Sequence, residues 1–328
     1  YPAFKVCDSR LDRHGTEVRI STWPQGGPIT GWLGIDVGST STKAVLVDDQ
    51  DQVILDLYRR TAGDPIGATR LLLQAIEELG RERDTTVELR GLGTTGSGRK
   101  LVGAIFGADR VCNEITAHLT GTLRVDPSID TIFEIGGQDA KYVHIVEGHL
   151  HDANMNHVCA AGTGSFVEEL SRKLGFDLDS LGDQLLGVEP PITSNRCTVF
   201  MEQDARHLLR QGLSPREVMA GVVCSVVENY LTKVVGHRPR PRRRVFFQGA
   251  TARNKALVAA FEQILDLEVV VSEFCHVMGA WGVAILTREH LASADASTGF
   301  QGLDLADRKI RLDTSTCTLC ANRCTITT

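Results

Sequence analysis

The chain has 328 residues, of which 42% are hydrophobic and 23% are charged, and its formal net charge is −6. These proportions exclude a wholly disordered chain, and the length suits two lobes of roughly 150 residues each. The acidic balance argues against nucleic acid as a partner. No run of 18 consecutive apolar residues is present, so we expect no membrane partner either.

Two stretches of the chain repeat one pattern, in which an apolar run, a glycine turn and a second apolar run follow one another. The first lies at residues 32–47 and the second at residues 131–146, about 100 residues later. Residues 1–30 precede the first stretch and are predicted to form a linker or a small edge element. Helices are predicted at residues 66–81, 111–123, 165–174, 199–211, 215–235, 254–265 and 276–289. The pattern indicates an internally duplicated α/β fold.

The first glycine turn carries residues suited to phosphate. Gly38 allows a tight turn and a close approach, while Ser39, Thr40 and backbone N–H groups can donate to phosphate oxygens. Asp36 offers a carboxylate to Mg²⁺ or its waters, and Lys43 follows on the next strand. The segment lacks the G-x-x-x-x-G-K-[ST] pattern of the common phosphate loop. Alone it is weak evidence, because such turns are common in hairpins.

The second glycine turn makes the assignment of a phosphate-binding site more specific. Gly136 and Gly137 are followed by Gln138 and Asp139, and two such turns on duplicated hairpins can face one another and clamp a triphosphate. A third element begins a helix after a strand and could hold an adenosine. Its candidate residues are Gly249, Ala250 and Asn254.

Three motifs together resemble the 2-hydroxyacyl-CoA dehydratase activator family, which includes ATPase subunits of benzoyl-CoA reductase. They are GIDVGS at residues 34–39, IGGQDAK at 135–141 and CAAGTG at 159–164. The resemblance covers residues 32–291. It implies a duplicated ribonuclease-H-like, actin-like ATPase fold with ATP/ADP in a cleft between lobes at 31–128 and 129–275. Helix 276–291 would complete the first lobe.

Two cysteines stand at predicted helix starts. A helix N-terminus favours a thiolate, yet Cys159 and Cys197 alone cannot complete a four-thiolate cluster, whereas a two-fold dimer would supply four thiolates. Spacing alone favours two small buried residues. The resemblance instead implies that these two cysteines bind a [4Fe-4S] cluster bridging a homodimer, with Gly162 and Gly164 contacting the nucleotide.

The implied activity is ATP-gated electron transfer. A ferredoxin or flavodoxin would load the cluster, and a dehydratase or reductase acting on CoA thioesters would accept the electron. Asp36 and Asp139 would hold Mg²⁺ and its waters, and Gln138 or Asp139 would orient the attacking water.

The scattered, odd-numbered cysteines favour a reducing cytoplasm over a disulfide framework. An amino-sugar type kinase and a nucleotide-dependent protein clamp are the alternatives.

The end of the sequence contains three closely spaced cysteines. Cys317, Cys320 and Cys324 offer a partial metal site, and we expect residues 292–328 to be a linker and the start of a following domain, metal-free or disordered in this chain. The chain begins at Tyr1 rather than Met and ends inside a cysteine-rich run, so we expect a fragment of a longer polypeptide. Residues 1–29 and the cysteine-rich tail resemble the flanks of one ATPase module in the large, multi-module activases.

Overall fold

The computed structural model describes residues 10–24, 27–156, 163–193, 197–242, 244–294, 297–303 and 313–327. Side chains are described over most of these ranges, and those of residues 10–13, 198 and 327 are left aside.

The first large sheet contains seven strands in the order β1-β2-β5-β4-β3-β6-β7. Its strands are β1 Arg10–Arg13, β2 Thr16–Ile20, β3 Ile29–Val37, β4 Ser41–Val47, β5 Val53–Arg60, β6 Val87–Thr95 and β7 Arg110–Val111. β3 pairs antiparallel with β4 and parallel with β6. The predicted edge element is therefore the hairpin β1–β2, which extends this sheet by pairing with β5.

The second sheet contains five strands in the order β10-β9-β8-β11-β12. Its strands are β8 Thr131–Ile135, β9 Ala140–Val146, β10 His149–Asn156, β11 Arg244–Gln248 and β12 Glu268–Val270. The hairpin β8–β9 lies beside the parallel strand β11, as the hairpin β3–β4 lies beside β6. This shared arrangement confirms the duplication that the two apolar–glycine–apolar stretches predict.

Nine α-helices complete the described part of the chain. They are α1 Pro65–Glu82, α2 Arg99–Phe106, α3 Glu114–Val125, α4 Gly164–Leu174, α5 Leu178–Leu185, α6 Thr198–Arg210, α7 Pro215–Tyr230, α8 Lys255–Leu265 and α9 Met278–Ala294. A π-helical turn, Leu231–Val235, prolongs α7, and a 3₁₀ turn, Ala250–Arg253, precedes α8. The apolar pattern missed α2 and α5, because eight residues give little more than two turns of periodicity.

Side-chain oxygens explain where several helices begin. Asp64 caps α1 by accepting a hydrogen bond from the Gly67 backbone, and Pro65 occupies its first turn. Ser214 and Glu217 form a capping box at the start of α7. These polar starts precede apolar runs, so the helix boundaries follow from local sequence.

The core of the second half is built on aromatic side chains. Phe133 contacts Tyr142, Tyr230 and Phe261 at ring-centroid distances of 6.3, 5.0 and 5.3 Å. All four residues are fully buried. The apolar helix α7 and its π-helical turn pack into this core. By length and composition residues Pro215–Val235 would qualify as a membrane span. However, 72% of an apolar 18-residue stretch within this helix is buried in the fold, as in a core helix.

Helix α9 lies between the two halves and packs against β3, β4, β6 and α3. Glycines make this close approach possible. A Cβ atom on Gly34 would overlap the backbone of Ala280, and one on Gly282 would overlap the carbonyl oxygen of Ala117. The small residues of α9 therefore serve backbone-to-backbone packing.

Gly282→Ala is expected to destabilise the fold by about 3 kcal/mol, because α3 and α9 must separate to admit the methyl group. Denaturant unfolding followed by circular dichroism measures the change. Gly299→Ala is the matched control, since a Cβ there meets nothing closer than 3.5 Å. Equal stability of the two variants would contradict this account of the α3–α9 contact.

The three closely spaced cysteines near the end lie on a hairpin. Its strands are β13 Thr314–Thr316 and β14 Thr325–Thr327, and the Cys317 N–H donates to the Cys324 carbonyl at 2.8 Å. The tail is predicted to be metal-free or disordered, and for residues 313–327 the second alternative is wrong, because backbone pairing gives regular structure.

Candidate functional site

A cleft of about 800 Å³ separates the two large sheets. Nine of the residues predicted to bind nucleotide or magnesium line it: Asp36, Thr40, Lys43, Gly136, Gly137, Gly164, Gly249, Ala250 and Asn254. Residues from all three motifs and from both halves of the duplication thus meet at one cavity, whose size is typical of a small-molecule site.

The two glycine turns contact each other across this cleft. The Ser39 hydroxyl donates a hydrogen bond to the Gln138 side-chain oxygen at 2.7 Å, and a Cβ on Gly137 would lie 2.9 Å from Thr40. The Thr40 hydroxyl is buried and has no hydrogen-bond partner among the described residues. An orphaned hydroxyl between two glycine turns fits a phosphate oxygen.

Both turns have the same internal geometry. The Gly38 N–H donates to the Ser41 carbonyl at 3.0 Å, and the Gly136 N–H donates to the Asp139 carbonyl at 2.9 Å. Each turn therefore holds its backbone by the same hydrogen bond, as expected of duplicated hairpins.

Each hairpin also pairs an acidic residue with a lysine at the same register position. In the first, Asp36 is opposite Lys43, and Lys43 Nζ lies 3.2 Å from Asp36 Oδ2. Burial disfavours the charged carboxylate, but the positive charge of Lys43, which also donates a hydrogen bond, holds the pKa of Asp36 below its usual value. Asp36 is therefore an anion at neutral pH, suited to a cation or its waters.

In the second hairpin, Glu134 is opposite Lys141, whose Nζ lies 2.8 Å from both Glu134 Oε2 and Asp139 Oδ2 and 3.3 Å from Glu114 Oε2. Burial opposes the charge on Lys141, yet these three carboxylates raise its pKa. Burial raises the pKa of Glu134. Lys141 remains a cation that fixes Asp139 at the turn.

The third predicted element, which carries Gly249, Ala250 and Asn254, lies against the end of β8. Gly249 has a φ of +94°, and a Cβ there would overlap the Ile135 carbonyl. The Asn254 side chain caps α8 by accepting from the Ala256 and Leu257 backbone N–H groups. Leu257 and Leu178 line the same end of the cleft and add an apolar surface suited to a nucleoside.

Comparison with known proteins decides the family. Residues 33–287 match the BadF/BadG/BcrA/BcrD ATPase family. The chain belongs to this family. It is 29% identical to the (R)-2-hydroxyglutaryl-CoA dehydratase activating ATPase of Acidaminococcus fermentans over 258 residues, which are 77% of this chain and 95% of that protein. It is 32% identical to the activator of lactoyl-CoA dehydratase of Anaerotignum propionicum over 260 residues, or 78% and 97% of the two proteins.

Solved structures confirm the predicted actin-like fold class. The crystal structure of the Acidaminococcus fermentans (R)-2-hydroxyglutaryl-CoA dehydratase component A matches with a TM-score of 0.71 and 27% identity, covering 80% of this chain and 98% of that one. A glucokinase of the ROK family from Streptomyces griseus matches with a TM-score of 0.51 and 14% identity, covering 79% and 99%. The second likeness concerns the fold alone.

Further residues, which the sequence patterns do not predict, line this cleft or contact its lining. Glu17 and Arg19 come from β2, which precedes the family match, and Glu17 Oε1 lies 3.6 Å from Arg253 Nη2 in the other half. His276 Nε2 lies 3.0 Å from Asp56 Oδ1, and burial raises the pKa of Asp56 to about 7. Residues 1–30 are predicted to form a linker or a small edge element, and no pattern local to β2 indicates a place in the cleft.

Of the two predicted cluster ligands, Cys197 lies inside the described residues, whereas Cys159 lies outside them, as does Gly162. Cys197 is a half-buried free thiol at the N-terminal cap of α6, away from the nucleotide cleft. Val199 and Phe200 beside it are 69% and 46% exposed. An accessible thiol at a helix start fits the chemistry of a cluster ligand.

Other acidic and cysteine residues are accounted for by ion pairs or by burial in the core. Glu202 on α6 makes ion pairs with Lys173 at 2.9 Å and Arg206 at 2.6 Å. Cys112 and Cys275 are buried free thiols. Across the described ranges, no three His, Cys, Asp or Glu side chains are grouped to hold a metal ion by themselves. Asp36 and Asp139 still suit Mg²⁺, which is often held by one or two carboxylates together with phosphates and waters.

Proposed function

We propose that this chain is an ATP-hydrolysing, iron–sulfur activator that delivers low-potential electrons to a partner 2-hydroxyacyl-CoA dehydratase or a related CoA-thioester reductase. The observation that carries the proposal is the contact between the two glycine turns, Ser39 to Gln138, in a chain of this ATPase family. Relatives whose names describe activators of CoA dehydratases support the partner class.

In this proposal the triphosphate lies between the two turns, and the nucleoside lies toward Gly249, Ala250 and Asn254. Ser39, Thr40 and Lys43 would bind phosphate oxygens from the first half, and Gly137 N–H from the second. Asp36 and Asp139 would hold Mg²⁺, which supplies charge neutralisation at the γ-phosphate. Gln138 or Asp139 would orient the attacking water. The lobes would be residues 31–128 with 276–291, and residues 129–275.

On the electron-transfer side, Cys159 and Cys197 would bind the [4Fe-4S] cluster. One chain supplies two thiolates, so a homodimer, or two modules of a longer chain, would supply four. When bound, the [4Fe-4S] cluster would supply one-electron redox chemistry. A ferredoxin or flavodoxin would be the donor, in a reducing cytoplasm that keeps these thiols free.

Helix α4 joins the two sites. The Gly164 and Ser165 N–H groups donate to the Gly136 and Gly137 carbonyls at 2.8 and 2.9 Å, so the start of α4 is attached to the second phosphate turn. Further along α4, Lys173 pairs with Glu202 of α6, the helix that Cys197 caps.

The first sheet also contacts α4, because Arg60 of β5 pairs with Glu168 at 2.5 Å. A movement of the turns or of the first sheet would therefore displace α4 and, through it, α6. This is a contiguous route by which nucleotide state biases the cysteine region.

The test is anaerobic purification, reconstitution with iron and sulfide, and a phosphate-release assay. We expect about four irons per dimer, a reducible brown chromophore and release of free phosphate. Phosphorylated sugar in place of free phosphate would favour the kinase alternative. Nucleotide-dependent binding of a protein partner without iron or phosphate release would favour the clamp alternative.

A further inference from the structure

His118 of α3 lies at the bottom of the cleft, where it is 7% exposed. Its ring nitrogen Nδ1 is 2.9 Å from the amide nitrogen of Gln248, the last residue of β11. The Gln248 side-chain oxygen accepts in turn from the Thr122 hydroxyl, one helical turn after His118, at 3.2 Å. The imidazole is thus held by a chain of two buried hydrogen bonds between α3 and the second sheet.

These partners determine where the ring proton is. An amide nitrogen only donates, so Nδ1 must accept the hydrogen bond from Gln248. An imidazolium would carry a proton on Nδ1 and could not accept this hydrogen bond, so the ring is neutral. A neutral ring that accepts at Nδ1 carries its proton at Nε2.

His118 Nε2 and the Asp36 carboxylate converge beside Gly279 of α9, where both residues line the cleft. A Cβ built on Gly279 would lie 3.2 Å from His118 Nε2 and 3.1 Å from Asp36 Oδ2, so these two atoms are no more than about 6.3 Å apart. One water can bridge such a gap between a hydrogen-bond donor and a carboxylate. A side chain at position 279 would enter this gap from the α9 backbone.

We propose that His118 is a positioning residue for ATP hydrolysis, donating from Nε2 to an oxygen that it shares with Asp36 in the gap over Gly279. The inference rests on the proposed function, because the proposed function is what places Asp36 at the phosphates. His118 acts through Asp36: the shared oxygen is that of a water, which accepts from Nε2 and donates to the carboxylate, and so ties Asp36 to the ring that Gln248 of the second sheet holds. Gln248 and Thr122 keep the ring in the orientation that makes this possible.

Two substitutions of His118 distinguish the role of Nδ1 from the role of Nε2. Gln can place an amide nitrogen near the position of Nε2, whereas Asn reaches only the position of Nδ1 and leaves the gap without a donor. We expect His118→Asn to lower kcat for phosphate release about 30-fold and His118→Gln to stay within about 5-fold of the unchanged protein. The KM for ATP and the Kd for ADP, measured by calorimetry, should change less than about 3-fold in both.

Gly279→Ala is an independent test that leaves His118 and Gln248 untouched. Its methyl group would occupy the shared gap, so we expect kcat to fall about 10-fold with the ADP Kd retained. If the His118 variants do not fold, Gly279→Ala still tests whether ATP hydrolysis needs the oxygen shared by His118 and Asp36.

Three outcomes would overturn the inference. The first is an unchanged kcat in His118→Asn with ADP binding intact. The second is an equal loss in the Asn and Gln variants, or a loss of ADP affinity that matches the loss of kcat, since either would indicate a structural role. The third is an unchanged kcat in Gly279→Ala. Failure of the unchanged protein to release phosphate would instead refute the proposed function, and this inference with it.

Discussion

Replacing Cys197 with alanine is expected to yield a protein that still binds and hydrolyses ATP but retains no iron. The thiol stands at the N-terminal cap of α6, half-buried and free, whereas the nucleotide cleft is lined by other elements. A four-thiolate cluster shared by two chains would lose two of its four ligands in the homodimer. Loss of half the ligands should abolish binding, because the remaining two thiolates cannot hold the cluster.

The measurement is iron content and visible absorption after anaerobic reconstitution, with ADP affinity determined on the same sample. Cys224→Ala is the matched control, since Cys224 is also half-buried and free, and burial raises the pKa of its thiol. The control should retain its iron. If Cys197→Ala keeps the same iron content as the control, Cys197 is no ligand and the electron-transfer proposal fails.

The second large effect is expected at Asp139. Asp139→Asn should lower kcat for phosphate release about 100-fold, because an amide neither attracts Mg²⁺ nor orients a water as a carboxylate does. The fold should tolerate the change. Lys141 keeps two carboxylate partners, Glu134 at 2.8 Å and Glu114 at 3.3 Å, so no buried charge is left unpaired.

Steady-state phosphate release, with thermal unfolding of the same sample, checks this prediction. Asp183→Asn is the control: Asp183 pairs with Lys255 at 2.6 Å, has a side chain that is 60% exposed, and lies on α5, outside both glycine turns. We expect its kcat to match the unchanged protein. A similar kcat in Asp139→Asn would remove Asp139 from the reaction and leave Gln138 as the residue that orients water.

Several features of this protein are predictable from short segments. A hairpin with a glycine turn is encoded by neighbouring residues, since the alternation of apolar side chains, the turn glycines and the following polar residues all lie within about 16 positions. The two glycine turns are therefore predictable as hairpins, and the structure brings them into contact through Ser39 and Gln138. The short helices α2 and α5 were missed, because two turns give a weak periodic pattern.

Local sequence encodes the duplicated hairpins, the starts of the main helices and the glycine turns, because each depends on hydrogen bonds and side-chain patterns between neighbouring residues. By contrast, Glu17 and Arg19 of an edge strand reach the cleft, and His118 and Asp36 converge beside Gly279, through the packing of the whole fold. These contacts join residues distant in sequence, 236 positions apart for Glu17 and Arg253. Their geometry follows from how two sheets and α9 pack together, which no local pattern encodes.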